Sequence, residues 1–308
     1  MTATLEVIDP GKKATSATAI GMIAIFLWSC LALLTTLTEG IPPFQLLAMS
    51  FGIAFVASLI ILGRRGRVGF QSWRQPWPVW LTGFLGIFVY HALYFFALKA
   101  APAAEASLIA YLWPLLIVLL SVLGTAERLH ARQLLGALLG LCGTALILLQ
   151  RPEDEVAAMP IAGYLAALGC ALVWSSYSVI NRRFNEVPSS IMGGMCGLVA
   201  LAGLICHLLL ETSVWPDASQ WAAIIALGLG PVGLAFFAWD HATKHGNLAM
   251  LGALSYLAPL MSTLLLILMG RSPVNPLLIG SALLIIVGAV IATSRASAPK
   301  AAGEAQTD

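Results

Sequence analysis

Nine residues of this sequence have the chemistry to line a site for a small molecule: Trp28, Tyr90, His91, Tyr94, Tyr111, Trp113, Trp174, Phe237 and Trp239. That chemistry is recognition rather than reaction. Indole and phenol rings offer broad apolar faces, and paired rings add about 0.5–1.5 kcal/mol beyond the area they bury. A neutral imidazole donates one hydrogen bond and accepts another. Tyr90 and Tyr94 are four residues apart, so on a helix they stack on one face with His91 bordering them. No H-E-x-x-H or G-x-S-x-G motif occurs, and no carboxylate pair suggests acid–base catalysis. Catalytic residues, metal ligands and cofactors are therefore not expected, and the chain does not read as an enzyme.

Pro114 and Pro259 interrupt apolar runs. Proline has no N–H to bond four residues back, which frees the carbonyls of Ala110 and Ser255. Freed backbone at membrane depth persists only when protein or a wet cavity covers it. The two prolines are read as hinges or kinks beside a binding site, with a plain structural kink as a compatible alternative. His91 has a bland alternative too, a hydrogen bond to a helix carbonyl. The five cysteines (Cys30, Cys142, Cys170, Cys196, Cys206) form no C-x-x-C pair and read as small packing residues.

Composition dictates the elements that carry these residues. Of 308 residues, 59% are hydrophobic and 10% charged, with a mean hydropathy of +0.91, whereas soluble domains carry about 25% charged residues. Thirty charges cannot coat a 32.5 kDa globule in water. A net charge of +2 gives no basic field for nucleic acid. Cutting the chain at every Asp, Glu, Lys and Arg leaves long charge-free stretches at 14–38, 40–63, 75–98, 106–126, 133–150, 156–181, 187–210, 218–239, 245–270 and 272–294. A membrane helix needs about 20 apolar residues, so these predict ten transmembrane helices in an all-α integral membrane protein. The alternation of a membrane barrel is missing. Ala17 to Leu37 is too long for a signal-peptide core and reads as an uncleaved first helix.

With alternating sides and an inside N-terminus, thirteen Lys and Arg fall inside, while only Lys99, Arg151 and Arg271 fall outside. Positive residues mark the cytoplasmic face. The tails 1–16 and 295–308 are thus expected in the cytoplasm, beneath a bacterial inner membrane. A repeat runs through the same pattern: Tyr111-Leu112-Trp113-Pro114-Leu115 recurs 145 residues later as Tyr256-Leu257-Ala258-Pro259-Leu260. In that frame Lys99 meets Lys244, and Trp28-Ser29 faces Trp174-Ser175 one residue out of step. Five helices per copy is an odd number, so the second copy (160–294) enters the membrane inverted relative to the first (17–150), joined by a linker at 151–159. Inverted repeats around a central cavity are transporter architecture.

Ten helices, a five-plus-five inverted repeat and paired Trp-Ser first helices resemble the drug/metabolite transporter superfamily, EamA-type branch, over residues 17–294. Tyr90-His91-Ala92-Leu93-Tyr94 followed by Tyr111-Leu112-Trp113-Pro114 is similar to the aromatic amino-acid exporters of that branch. Many members carry an arginine in the second helix of a repeat. Met49-Ser50-Phe51 stands here instead, which speaks against substrates held by that cation.

The resemblance and the residues together imply an exporter of neutral amino acids, preferring aromatic and large apolar ones, that works by alternating access. Broad drug or metabolite efflux is the alternative within transport. A membrane-embedded enzyme or lipid scramblase, which would show acid–base pairs or a polar groove, ranks below both. The expected partners are a small-molecule substrate and the lipid bilayer. Asp240, Lys99 and Lys244 are placed at helix ends and His207 at the outer interface, all reaching toward water. With no carboxylate in mid-membrane, obligatory proton exchange is not expected. Gly136-x3-Gly140 with Gly143, and Gly193-x3-Gly197, are small-residue faces for helix packing or dimerisation. They leave the oligomeric state open, with a monomer preferred.

Overall fold

The structure, a computed structural model, describes residues 10–101, 103–123, 129–148, 160–270 and 276–294. Arg151 and the acidic run Glu153-Asp154-Glu155 lie outside these residues, as do Arg128, Arg271 and the C-terminal tail. All regular structure among the described residues is helical: α1 (Pro10–Ser29), α2 (Leu31–Thr36), α3 (Pro43–Gly63), α4 (Trp77–Phe84), α5 (Tyr90–Ala100), α6 (Ala103–Ala110), α7 (Trp113–Leu120), α8 (Ala131–Leu148), α9 (Pro160–Ile180), α10 (Ile191–Leu210), α11 (Ala218–Leu229), α12 (Ala235–His245), α13 (Leu248–Leu254), α14 (Leu257–Leu268) and α15 (Pro276–Thr293). Seven continuous helical stretches are long and apolar enough to cross a membrane: 14–36, 43–63, 77–100, 161–184, 191–210, 218–245 and 248–268. Three shorter apolar helices, 106–120, 131–146 and 279–293, occupy the remaining predicted stretches. The protein is a multi-pass membrane protein.

The interruptions within these stretches have local causes. A π-helical turn, Leu85–Val89, joins α4 to α5, and another, Gly230–Leu234, joins α11 to α12. They lie at corresponding positions of the 145-residue frame, and π turns inside helices often mark functional sites. Pro114 and Pro259 each sit at the start of a helix, α7 and α14, just after breaks at Tyr111-Leu112 and Ser255-Tyr256. Proline is tolerated in a first turn, where its missing N–H is not needed. Each proline therefore separates two short helices.

Long-range packing pairs α8 with α15, α3 with α10, α1 with α12 and α5 with α9. Glycine sets the first of these. A Cβ on Gly136 would fall 2.5 Å from the Gly288 carbonyl, and one on Gly288 would fall 2.6 Å from the Gly136 carbonyl. The two backbones touch. Gly140 fits against Tyr256 and Gly143 against Ile285. Gly193 abuts Ser58, Gly194 abuts Trp80 and Gly197 abuts Phe55. Both small-residue faces are filled within the chain, which answers the choice that the sequence left open.

His207 corrects an expectation. It is buried, with Nδ1 3.0 Å from a Glu211 oxygen and Nε2 2.8 Å from the Ser213 hydroxyl. Glu211 in turn accepts the N–H groups of Phe44 and Gln45, both at 3.0 Å. Those amides open α3 and have no partner within their own helix. A carboxylate at a helix start is favoured by the helix dipole, so Glu211 pins the end of α10 to the start of α3, and His207 holds Glu211 in place.

Candidate functional site

Four tryptophans from four helices meet at the centre: Trp28 on α1, Trp113 at the start of α7, Trp174 on α9 and Trp239 on α12. Ring centroids from Trp28 are 5.0 Å to Trp239, 5.7 Å to Trp174 and 6.4 Å to Trp113. Trp113 lies 5.8 Å from Trp239 and 6.3 Å from Trp174, and the last two are 6.2 Å apart. All six pairs are thus within the 4.5–7 Å range of favourable ring contacts. Trp113, Trp174 and Trp239 are buried, and Trp28 is half-buried.

A second layer flanks the indoles. Tyr90 contacts Trp174 at 5.4 Å and stacks on Tyr94 at 6.0 Å with 13° between planes. His91 borders Tyr90 at 5.2 Å and meets Phe51 at 5.4 Å, Phe95 at 6.2 Å and Phe236 at 6.4 Å. The Tyr94 hydroxyl is 3.3 Å from that of Ser107, and the Tyr111 carbonyl accepts from Tyr256 at 3.2 Å. Tyr90, His91, Tyr94 and Tyr111 are half-buried.

Backbone at the two π turns orients this layer. His91 Nδ1 is 2.7 Å from the Ile87 carbonyl. A carbonyl only accepts, so Nδ1 carries the proton and a neutral ring keeps Nε2 as its acceptor. The bland alternative for His91 thus coexists with a place beside the aromatic cluster. Trp28 Nε1 donates to the Pro231 carbonyl at 3.1 Å. One site residue is therefore fastened to each π turn.

Phe237 departs from expectation, because the ring in the cluster belongs to its neighbour. Phe236 is buried and lies 6.0 Å from Trp28, 5.8 Å from Trp174 and 5.6 Å from Phe51. Successive helical residues point about 100° apart, and Phe236 shares a face with Trp239 three residues on. That spacing was available in the sequence. Phe51, Phe95 and Tyr177 were also missed. Phe95 and Tyr177 lie one turn from His91 and Trp174, whereas Phe51 is brought in by packing of α3 alone.

Asp240 and Lys244 overturn the reading of these groups as solvated helix ends. Both are buried, with Lys244 Nζ 2.8 Å from Asp240 Oδ2. A carboxylate therefore lies inside the helical stretch 218–245. The i,i+4 spacing supplies its counter-ion on the same helix, and packing against the end of α9 excludes water. Lys99 is exposed as expected. Among the described residues no group of three or more His, Cys, Asp or Glu side chains is placed to hold a metal ion.

Comparison with known proteins identifies the family. The EamA-like transporter family matches residues 15–149 and, separately, residues 161–294. A protein named aromatic amino acid exporter YddG from Ancylobacter novellus is 49% identical over 280 residues, 91% of this chain and 97% of that protein. The protein of the same name from Escherichia coli K12 is 26% identical over 84% of this chain and 90% of its own length. A crystal structure 48% identical in sequence superposes with a TM-score of 0.86, covering 91% of this chain and 96% of that one. Two family matches in tandem over most of the chain, together with close relatives that are exporters, lead to one assignment: this chain belongs to the EamA-like transporter family and is a membrane transporter.

Proposed function

We propose that this transporter exports neutral, zwitterionic amino acids, preferring aromatic and large apolar side chains. The observation that carries the reading is the uncharged cage of Trp28, Trp113, Trp174 and Trp239, flanked by Tyr90, Tyr94, Tyr111 and His91. Its rings suit an aromatic side chain by stacking, and their faces attract an ammonium group. His91 Nε2 offers that ammonium an acceptor, while tyrosine hydroxyls suit the carboxylate. A zwitterion has no net charge and needs no buried counter-ion of its own. The indoles touch one another in this state, so a ligand parts them or seats against the half-buried rim. The names of the relatives from Ancylobacter novellus and Escherichia coli support the same substrate class.

The mechanism proposed is alternating access by two inverted five-helix copies, 17–150 and 160–294, joined by 151–159, with ten crossings and both tails in the cytoplasm. Three observations support it: the family matches each half, the π turns fall at matched positions, and the α6–α7 break has its counterpart between α13 and α14. The excess of Lys and Arg on one side supports the orientation and an inner-membrane location.

Counterflow into proteoliposomes, across a panel of labelled amino acids and one lipophilic cation, tests the substrate class. Phenylalanine, tryptophan, tyrosine and leucine should exchange, and lysine and glutamate should not. Exchange of the cation with none of the amino acids would replace this reading by broad efflux.

A further inference from the structure

One buried polar cluster lies apart from the aromatic cage and has no part in the substrate reading. Asp240, Thr243 and Lys244 sit near the C-terminal end of α12, with the Asp240 and Lys244 side chains 0% and 1% exposed. Replacing a buried ion pair by apolar residues is often neutral or stabilising, so stability alone does not account for this one. The pair is one turn apart on a single helix and ties nothing together by itself. Besides the Trp239 indole, which donates to the Ser178 hydroxyl on α9 at 3.2 Å, three hydrogen bonds of this cluster leave α12. Asn181 Nδ2 donates to Asp240 Oδ1 at 2.9 Å and to Thr243 Oγ1 at 3.1 Å, and Lys244 Nζ donates to the Val187 carbonyl at 3.0 Å. Asn181 directly follows α9, and Val187 precedes α10.

The cluster belongs to one half alone. In the 145-residue frame Asp240 corresponds to Phe95, Thr243 to Leu98 and Lys244 to the exposed Lys99. α12 packs on α9 and on the turn that follows it. Their counterparts, α5 with α1 and α2, show no comparable packing among the described residues. At the end that carries Asn181 and Lys244, α12 is therefore held against the end of α9, and no matching packing holds α5 to α1 or α2 among the described residues.

We propose that these three hydrogen bonds are the latch of the cytoplasmic gate, an inference that rests on the alternating-access reading and orientation given above. Opening toward the cytoplasm withdraws α12 from the end of α9. The Asp240–Lys244 pair travels with α12 intact, so no lone charge is stranded in the membrane. Only hydrogen bonds are exchanged for water, which is a small change in net free energy. A pair split between the two helices would have to be torn apart in every cycle. Placing both charges on one helix makes the closure firm yet reversible.

The test needs no substrate. Spin labels attached through Arg183→Cys and His245→Cys, both exposed positions, report the separation of the two helix ends in nanodiscs, in a background with the native cysteines replaced. The otherwise unmodified latch should give one dominant short distance. Asn181→Ala should raise the ratio of a longer-distance population to the short one by about tenfold, and Thr243→Val, which removes a single acceptor, by roughly threefold, taking tenfold as one to two hydrogen bonds. An unchanged distribution in folded Asn181→Ala protein overturns the latch. If that variant does not fold, Thr243→Val decides: a shift to the longer distance upholds the proposal, and no shift overturns it. Counterflow in the same proteins separates the two readings. Distances that shift without amino-acid exchange keep the latch and reject the substrate class, whereas exchange with unmoved distances does the reverse.

Discussion

Lys244→Met keeps the length of the side chain and removes its ammonium. Asp240 is then left with a charge at a place with no exposed surface, and among the described residues its remaining side-chain donor is the neutral amide of Asn181. Removing one member of a buried pair costs about 3–5 kcal/mol. Adding Asp240→Asn deletes the stranded charge while its amide oxygen still accepts from Asn181. The double variant loses both Lys244 hydrogen bonds, to the residue-240 side chain and to the Val187 carbonyl, but strands no charge, and should lie within about 1–3 kcal/mol of the original protein. At about 2–4 °C per kcal/mol for chains somewhat shorter than this one, Lys244→Met should melt roughly 10 °C lower and the double variant only about 5 °C lower. Thermal unfolding in detergent, followed by loss of the monodisperse peak in size-exclusion chromatography, reads both. A single variant that melts within about 2 °C of the original, or a double variant less stable than the single one, would refute the argument that Lys244 holds the Asp240 side chain.

Gly288→Ala places a methyl against the Gly136 carbonyl at 2.6 Å and should cost about 1–3 kcal/mol in the same assay. Gly280→Ala on the same helix meets nothing within 4 Å and should be neutral or stabilising by up to about 1 kcal/mol. Asp217 caps α11 by accepting from the Gln220 N–H, while the Gln220 side chain accepts from the Asp217 N–H. The Gln220 N–H first, and then the Ser219 hydroxyl that donates to the same carboxylate, hold it below the ordinary carboxylate range. Its folded-state pKa is depressed, so its stabilising contribution is complete above the ordinary value and is lost as pH falls through the folded one. The protection of amides at the start of α11, taken relative to their intrinsic exchange at each pH, should fall on acidification in that window, and Asp217→Ala should abolish that change. Phe236→Leu removes ring contacts to Trp28, Phe51 and Trp174 and should weaken phenylalanine counterflow about tenfold, whereas Phe237→Leu should change it less than about twofold, at 0.5–1.5 kcal/mol per ring pair. Because the Asp240 charge is already balanced by Lys244, liposomes should equilibrate phenylalanine without accumulating it under an imposed pH gradient. Accumulation that Asp240→Asn abolishes would make Asp240 a proton carrier.

Much of this protein was legible in one dimension because the bilayer imposes one-dimensional rules. A span must be apolar along its whole length, so the charges mark the ends of helices, and seven of the ten predicted stretches meet the length for a crossing. Pro114 and Pro259 break the chain where their missing N–H groups require. Tyr90 and Tyr94 stack because a helix brings every fourth residue round to the same face. The sequence also picked out Trp28, Trp113, Trp174 and Trp239, but their meeting depends on four helices that no local rule relates. Helical spacing from Trp239 already favoured Phe236 over Phe237, but tertiary packing alone brought Phe51 beside His91 and turned both glycine faces inward. It also buried Asp240, Lys244 and His207, three groups that by sequence position belonged in water. The physical reason is common to all of them. Polarity along a chain specifies what each residue can tolerate, whereas burial depends on what another helix places against it, and that partner lies 59 residues away for Asn181 and Asp240 and 167 for Phe44 and Glu211.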